Sequence, residues 1–324
     1  MQKCFIVVIL NIVHVLILAH ISYAIEMGII TGNEKGTYYQ FGLNLKDLMA
    51  KYNIELNVYP SNGSVDNIYS VYKKSGANLG IVQSDVLAFV AKVQSNETLK
   101  TVAKKIRIVF PLYNEEVHIV ARKGITDFSD LSNRRVAVGE DGSGTYLTAK
   151  LLFEASGIKP ETMVNIGTDE ALAQLKDGNI DAMFYVAGAP VKLFVEKIKQ
   201  EDNLELVPVT NKEILDFYPG AEIPAQTYAW QDKPVNTVAV KAVLITYDFK
   251  SQNCENVGKF ARILSDNLGR LAQNGHPKWK SVDLHYNLKG WKQCECVKKH
   301  LAPSAKKEPA KLNPVLDAIK GMLE

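Results

Sequence analysis

The chain has 324 residues, 47% of them hydrophobic and 23% charged, with a formal net charge of +3. That composition excludes a disordered chain, and the length suits two lobes better than one core. The charge is nearly balanced and no dense basic stripe occurs, so nucleic-acid binding has no support.

Residues 1–24 read as an export signal. Lys3 is followed by an apolar run over residues 5–18, and Ser22-Tyr23-Ala24 puts small residues where a signal peptidase reads. Cleavage is expected after Ala24, which makes the mature protein periplasmic or otherwise extracytoplasmic. The alternative is an uncleaved anchor, although the apolar run is shorter than the roughly 20 residues of a membrane span. Cleavage removes Cys4 and leaves Cys254, Cys294 and Cys296. Outside the cytosol one disulfide is expected, from Cys254 to either Cys294 or Cys296, with one thiol left over. Adding His285 or His300 matches no common zinc spacing, so no metal and no cofactor is expected.

Strands are expected over residues 26–31, 54–59 and 78–82, each leading into a helix. The first helix, 38–51, carries Phe41, Leu45 and Leu48 at core spacing. Residues 106–112 and 117–122 read as two separate strands. The second half repeats the pattern. Strands at 135–139, 163–167 and 180–186 alternate with helices at 143–156, at 169–176 and beyond Pro190, and a further strand spans 204–209. Residues 237–248 form a long β-rich run that suits a crossover back to the first lobe, and one long helix is expected over 255–274. Residues 303–309 read as a linker. Leu312, Val315, Leu316, Ile319 and Leu323 then mark an apolar stripe on a last helix. This order implies an α/β fold with parallel sheets covered on both faces.

One phrase occurs twice: Gly36-Thr37-Tyr38 and Gly144-Thr145-Tyr146 each open a helix after a strand. Asn62-Gly63-Ser64, Gln83-Ser84-Asp85 and Gly142-Ser143-Gly144-Thr145 share that design, and Gly188-Ala189-Pro190 shares its outline. Such helix starts leave N–H groups unpaired and favour negative charge. Singly, each is also ordinary capping chemistry. Their recurrence in both halves points to two jaws closing on one acidic small molecule. Tyr38, Tyr185 and Tyr228 suit such a cleft, each offering an apolar face and one hydroxyl. No P-loop, dinucleotide fingerprint or nucleophile elbow is present. His118 has no evident partner, and Glu115-Glu116 reads as a solvated hinge edge. The hinge is expected near residues 111–116 and 220–226.

These residues together resemble the TAXI family, the extracytoplasmic solute-binding subunits of TRAP (tripartite ATP-independent periplasmic) transporters. The resemblance runs from about Gly28 to about Trp291. It includes Gly36-Thr37-Tyr38-Tyr39, Val82-Gln83-Ser84-Asp85, Gly142-Ser143-Gly144-Thr145, Leu175-Lys176-Asp177-Gly178 and Ile223-Pro224-Ala225-Gln226-Thr227-Tyr228. It implies a type II periplasmic binding protein fold, with two α/β lobes, a hinge and a ligand cleft between them. One lobe would comprise 25–112 and 225–300, the other 113–224, with 301–324 left as linker and amphipathic helix. It further implies capture of a small carboxylate of the glutamate or 2-oxoglutarate class and delivery to a TRAP-type membrane permease. A monomer without catalytic activity is expected. The implied cleft positions are Gly36, Thr37, Tyr38, Asn62, Ser64, Gln83, Ser84, Ser143, Thr145 and Gly188. The motif and tyrosine readings add Gly144, Tyr185 and Tyr228. The family's glycine-rich approach is replaced here by Gly32-Asn33-Glu34-Lys35-Gly36, where Lys35 could meet a ligand carboxylate and Glu34 would repel one. The segment after Trp291 has no family counterpart. A secreted sensor without a transporter remains a rival reading. So does an enzyme on the same fold, although no nucleophile–base pair is visible.

Overall fold

Ten strands and eleven α-helices lie along the residues that the computed structural model describes, 24–92 and 96–302. The expected export signal up to residue 23 and the expected linker and helix beyond Ala302 lie outside the described residues. The first half runs β1 (Ile25–Ile30), α1 (Thr37–Ala50), β2 (Ile54–Tyr59), α2 (Ser64–Lys73), β3 (Leu79–Gln83), α3 (Ser84–Lys92), α4 (Glu97–Lys104) and β4 (Ile106–Arg122). The second runs β5 (Arg135–Ala137), α5 (Gly144–Ser156), β6 (Thr162–Val164), α6 (Thr168–Lys176), β7 (Ala182–Ala187), α7 (Lys192–Lys197), β8 (Leu204–Leu206), α8 (Lys212–Leu215) and β9 (Gly220–Ile223). The chain closes with β10 (Val235–Tyr247), α9 (Ser251–Asp266), α10 (Leu268–Asn274) and α11 (Glu295–Leu301).

The strands hydrogen-bond in the order β2-β1-β3-β10-β4-β7-β5-β6, with β8 on β4 and β9 on β10. β1 is parallel to β2 and β3, and β5 is parallel to β6 and β7. β4 and β10 run antiparallel to their neighbours and to each other. Both are long enough to serve two lobes. Four apolar clusters cover the sheet. Two flank the first lobe, around Phe41, Phe260 and Trp279 and around Ile68, Val86 and Ile245. Two flank the second, around Phe128, Phe153 and Phe184 and around Leu172, Phe194 and Tyr228. In α1 the buried positions Phe41, Leu45 and Leu48 form one stripe, and each contributes roughly 1.5–3 kcal/mol by leaving water.

Several expectations change. Residues 106–122 form one strand of 17 residues, not two, because Tyr113, Glu115 and Glu116 are buried where β4 pairs with β10. The helix expected over 255–274 breaks at Asn267, which leaves helical geometry at φ −114°. Residues 220–223 are no hinge: β9 pairs with Val235–Val238 inside the second lobe. The return to the first lobe lies within β10, where pairing with β4 shifts register between Lys241 and Val243. Residues 225–238 therefore pack with the second lobe, and Tyr228 and Trp230 belong to its core.

Of the two disulfides left open, Cys254–Cys296 forms, with a Cα–Cα distance of 5.7 Å. It ties α11 to α9, and Cys294 stays free and buried.

Candidate functional site

Residues from both lobes enclose a cavity of about 230 Å³. From the first lobe come Gly32, Asn33, Gly36, Thr37, Tyr38, Ser61, Asn62, Gly63, Ser64 and Gln83. From the second come Gly139, Glu140, Ser143, Gly144, Thr145, Gly167, Thr168, Tyr185, Val186 and Ala187, with Glu115 supplied by β4 at the crossover. This volume lies below the roughly 300–1,000 Å³ of pockets for drug-sized ligands, so the site suits a smaller molecule.

Four helices begin at this cavity. α1, α2 and α6 follow Gly36, Gly63 and Gly167 and have no side-chain cap, which leaves first-turn N–H groups unpaired. Gly63 sits at φ +123°, a conformation that L side chains rarely adopt. The fourth helix, α5, is capped by Ser143, whose Oγ accepts from Tyr146 N at 3.1 Å. Thr145 Oγ1 accepts from Val186 N at 3.1 Å and so ties the helix start to β7. Each of these two hydroxyls keeps its own proton to donate.

The lobes are closed on each other. A Cβ added to Gly144 would lie 1.7 Å from Gln83 Oε1, so a side chain there would force Gln83 or the two lobes to shift. Thr37 Oγ1 donates to the Gly188 carbonyl at 2.9 Å across the cleft. Lys35 pairs with Asp169 at the mouth instead of facing the cavity. Behind the cavity, Lys278 pairs with Glu116, which also accepts from Ala189 N at 3.0 Å.

Ten of the thirteen expected positions line the cavity: Gly36, Thr37, Tyr38, Asn62, Ser64, Gln83, Ser143, Gly144, Thr145 and Tyr185. Three do not. Ser84 faces β10, where its Oγ accepts from Lys241 N at 3.2 Å. Gly188 serves as the carbonyl partner of Thr37. Tyr228 is buried in the second-lobe core, its hydroxyl accepting from Val191 N at 3.0 Å and donating to His118 Nε2 at 2.8 Å. His118 thus has partners after all. Its Nδ1 lies 3.0 Å from the Glu116 carbonyl, and burial lowers its pKa to about 4, so the imidazole is neutral.

The sequence reading missed Glu115. Far from being a solvated edge, it is 2% exposed and accepts from Tyr38 Oη at 2.7 Å. Burial, with Asp85 and Glu116 nearby, holds its carboxyl well above the ordinary range, against the pull of Tyr38 and Lys278. A usable signal existed: residues 113–116 contain neither glycine nor proline, so nothing there breaks a strand.

A family model described as the NMT1-like family matches residues 29–292. Two solved structures share the architecture. The periplasmic binding protein BugD is 12% identical, with a TM-score of 0.54, over 84% of this chain and 91% of that one. A substrate-binding protein of an ABC uptake transporter from Streptococcus pneumoniae with bound histidine is 15% identical, with a TM-score of 0.50, over 78% and 92%. At these identities the likeness is one of fold, and the fold is that of a two-lobed type II periplasmic binding protein.

Proposed function

The chain belongs to the NMT1-like family, and we propose from that premise that it is an extracytoplasmic solute-binding protein. It captures a small carboxylate between its lobes and releases it to a membrane permease. The observation that carries this reading is the convergence of both lobes on one small cavity. Gly36, Tyr38 and Gln83 line it from one side, and Ser143, Thr145 and Tyr185 from the other. A ligand that touches both jaws favours the closed form by its differential affinity for that form, which is the mechanism of capture. Hydroxyls and unpaired N–H groups suit a carboxylate; each helix start adds about 0.3–1 kcal/mol, and up to about 2 when partly buried.

The TAXI-like order of motifs supports a TRAP-type permease as the recipient. The Cys254–Cys296 bond supports an oxidising compartment. Among the described residues no helix is long and apolar enough to cross a membrane.

The test is mass spectrometry of what co-purifies, followed by calorimetry and small-angle scattering with and without that compound. A small carboxylate that tightens the radius of gyration is expected. A bound sugar or peptide, or binding without compaction, overturns the reading.

A further inference from the structure

Hydrogen-bond donors line the cavity from both lobes: the uncapped starts of α1 and α2 on one side, and the hydroxyl protons of Ser143 and Thr145 with the start of α5 on the other. Two buried groups with acceptor oxygens stand among them, Glu115 on β4 and Gln83 at the end of β3. Glu115 takes one hydrogen bond among the described residues, from Tyr38. Gln83, 2% exposed, has its Oε1 buried with no partner. Among the described residues, no lysine, arginine or histidine lines the cavity. Lys35 pairs with Asp169 and Lys278 with Glu116, and neither lines the cavity.

A buried carboxyl that burial keeps protonated and an unpaired amide oxygen suit a ligand that brings positive charge and donors, since a cation lets Glu115 ionise and gives Gln83 Oε1 a partner. We infer that the cleft takes a small α-amino acid with a single carboxylate, bound as a zwitterion, its ammonium group held by Glu115 and Gln83 and its carboxylate by the Ser143–Thr145 helix start. The inference rests on the capture reading and narrows its ligand class. A second carboxylate on the ligand would find Glu140 at the wall and, among the described lining residues, no cation to receive it. That argues against the glutamate and 2-oxoglutarate class that the family resemblance implies. A 2-oxo acid would leave Gln83 Oε1 without a donor and bring no cation to Glu115.

The groups facing Glu115 are Tyr38 on α1, Asp85 on α3, Tyr113 and Glu116 on β4, Tyr185 on β7, and Lys278 in the turn after α10. Burial and the two neighbouring acids favour a protonated Glu115 in the empty cleft, so an arriving ammonium group displaces that proton to solvent.

The test is calorimetry with the L-amino acids and with the matching 2-oxo acids, on the full mature chain and on Glu115→Gln. At least one neutral amino acid should bind about tenfold or more tightly than its 2-oxo counterpart, the worth of one hydrogen bond to a charged group. Glu115→Gln should erase that preference while its melting curve stays cooperative. Titrations in buffers of different ionisation enthalpy should show proton release for wild type and none for the variant. Equal or tighter binding of a 2-oxo acid or a dicarboxylate overturns this inference and leaves solute capture standing. An amino-acid preference that survives in Glu115→Gln also overturns it. Binding of none of these compounds to the wild type likewise overturns this inference, while solute capture is decided by what co-purifies.

Discussion

Thr148 on α5 donates its hydroxyl to Asp85 Oδ2 at 2.8 Å across the boundary between the lobes. Tyr218 of the second lobe donates to the same oxygen at 3.2 Å. Asp85 does not line the cavity, so these bonds act on the equilibrium between open and closed forms. Asp85→Ala removes both and should weaken ligand binding about tenfold, the equivalent of about 1.4 kcal/mol. Scattering should show a more expanded unliganded protein. Unchanged affinity would mean that Asp85 has no part in closure.

Gly144 and Gln83 offer a steric test of closure. In Gly144→Ala the new methyl group would fall 1.7 Å from Gln83 Oε1 and 2.9 Å from Ser64 Oγ. Both neighbours belong to the opposite jaw, so opening the cleft relieves the clash without disturbing either core. Ligand affinity should fall by at least about a hundredfold, roughly 2.7 kcal/mol, while the melting temperature changes little. A variant that binds normally would show that the working closed form is looser than this one.

The bond between Cys254 and Cys296 spans 42 positions and pins α11 to α9. Breaking it in Cys254→Ala should lower stability by roughly 2–4 kcal/mol, seen as a drop in the denaturant midpoint. Ligand affinity should hold, because neither cysteine lines the cavity. Equal midpoints for wild type under oxidising and reducing conditions would contradict a stabilising bond.

His118 predicts a signed pH dependence. Its pKa is about 4 in the fold against 6.5 in the unfolded chain, with burial as the main cause and Glu116 opposing. Between these values the unfolded state binds more protons, so the contribution is complete above about pH 6.5. It is lost as pH falls towards 4, by up to about 3 kcal/mol. His118→Gln cannot titrate and retains an acceptor for Tyr228. The stability gap between wild type and His118→Gln should therefore shift against wild type between pH 7 and pH 4. A gap that is flat with pH would mean that the imidazole is not held neutral.

Much of the site was legible before folding because its grammar is local. A strand end, a small residue and a helix start put Gly36, Ser143, Gly144 and Thr145 at one edge of the sheet. That arrangement follows from backbone hydrogen bonding and helix geometry alone. The apolar spacing of Phe41, Leu45 and Leu48 determined which face of α1 is buried, for the same reason.

Other features depended on register over long distances. Glu115 enters the cleft because β4 passes unbroken from one lobe to the other against β10. Ser84 turns away because its neighbour Gln83 takes the cavity side and its own hydroxyl meets β10. Tyr228 goes to the core because residues 220–238 fold back as a hairpin within the second lobe. The sequence alone determined most of the elements and the small-residue helix starts that meet at the cleft, since those rest on neighbours a few residues apart. Only the tertiary structure decided the partner of Cys254, the burial of Glu115 and the charge balance of the cleft, since each depends on groups brought together from distant parts of the chain.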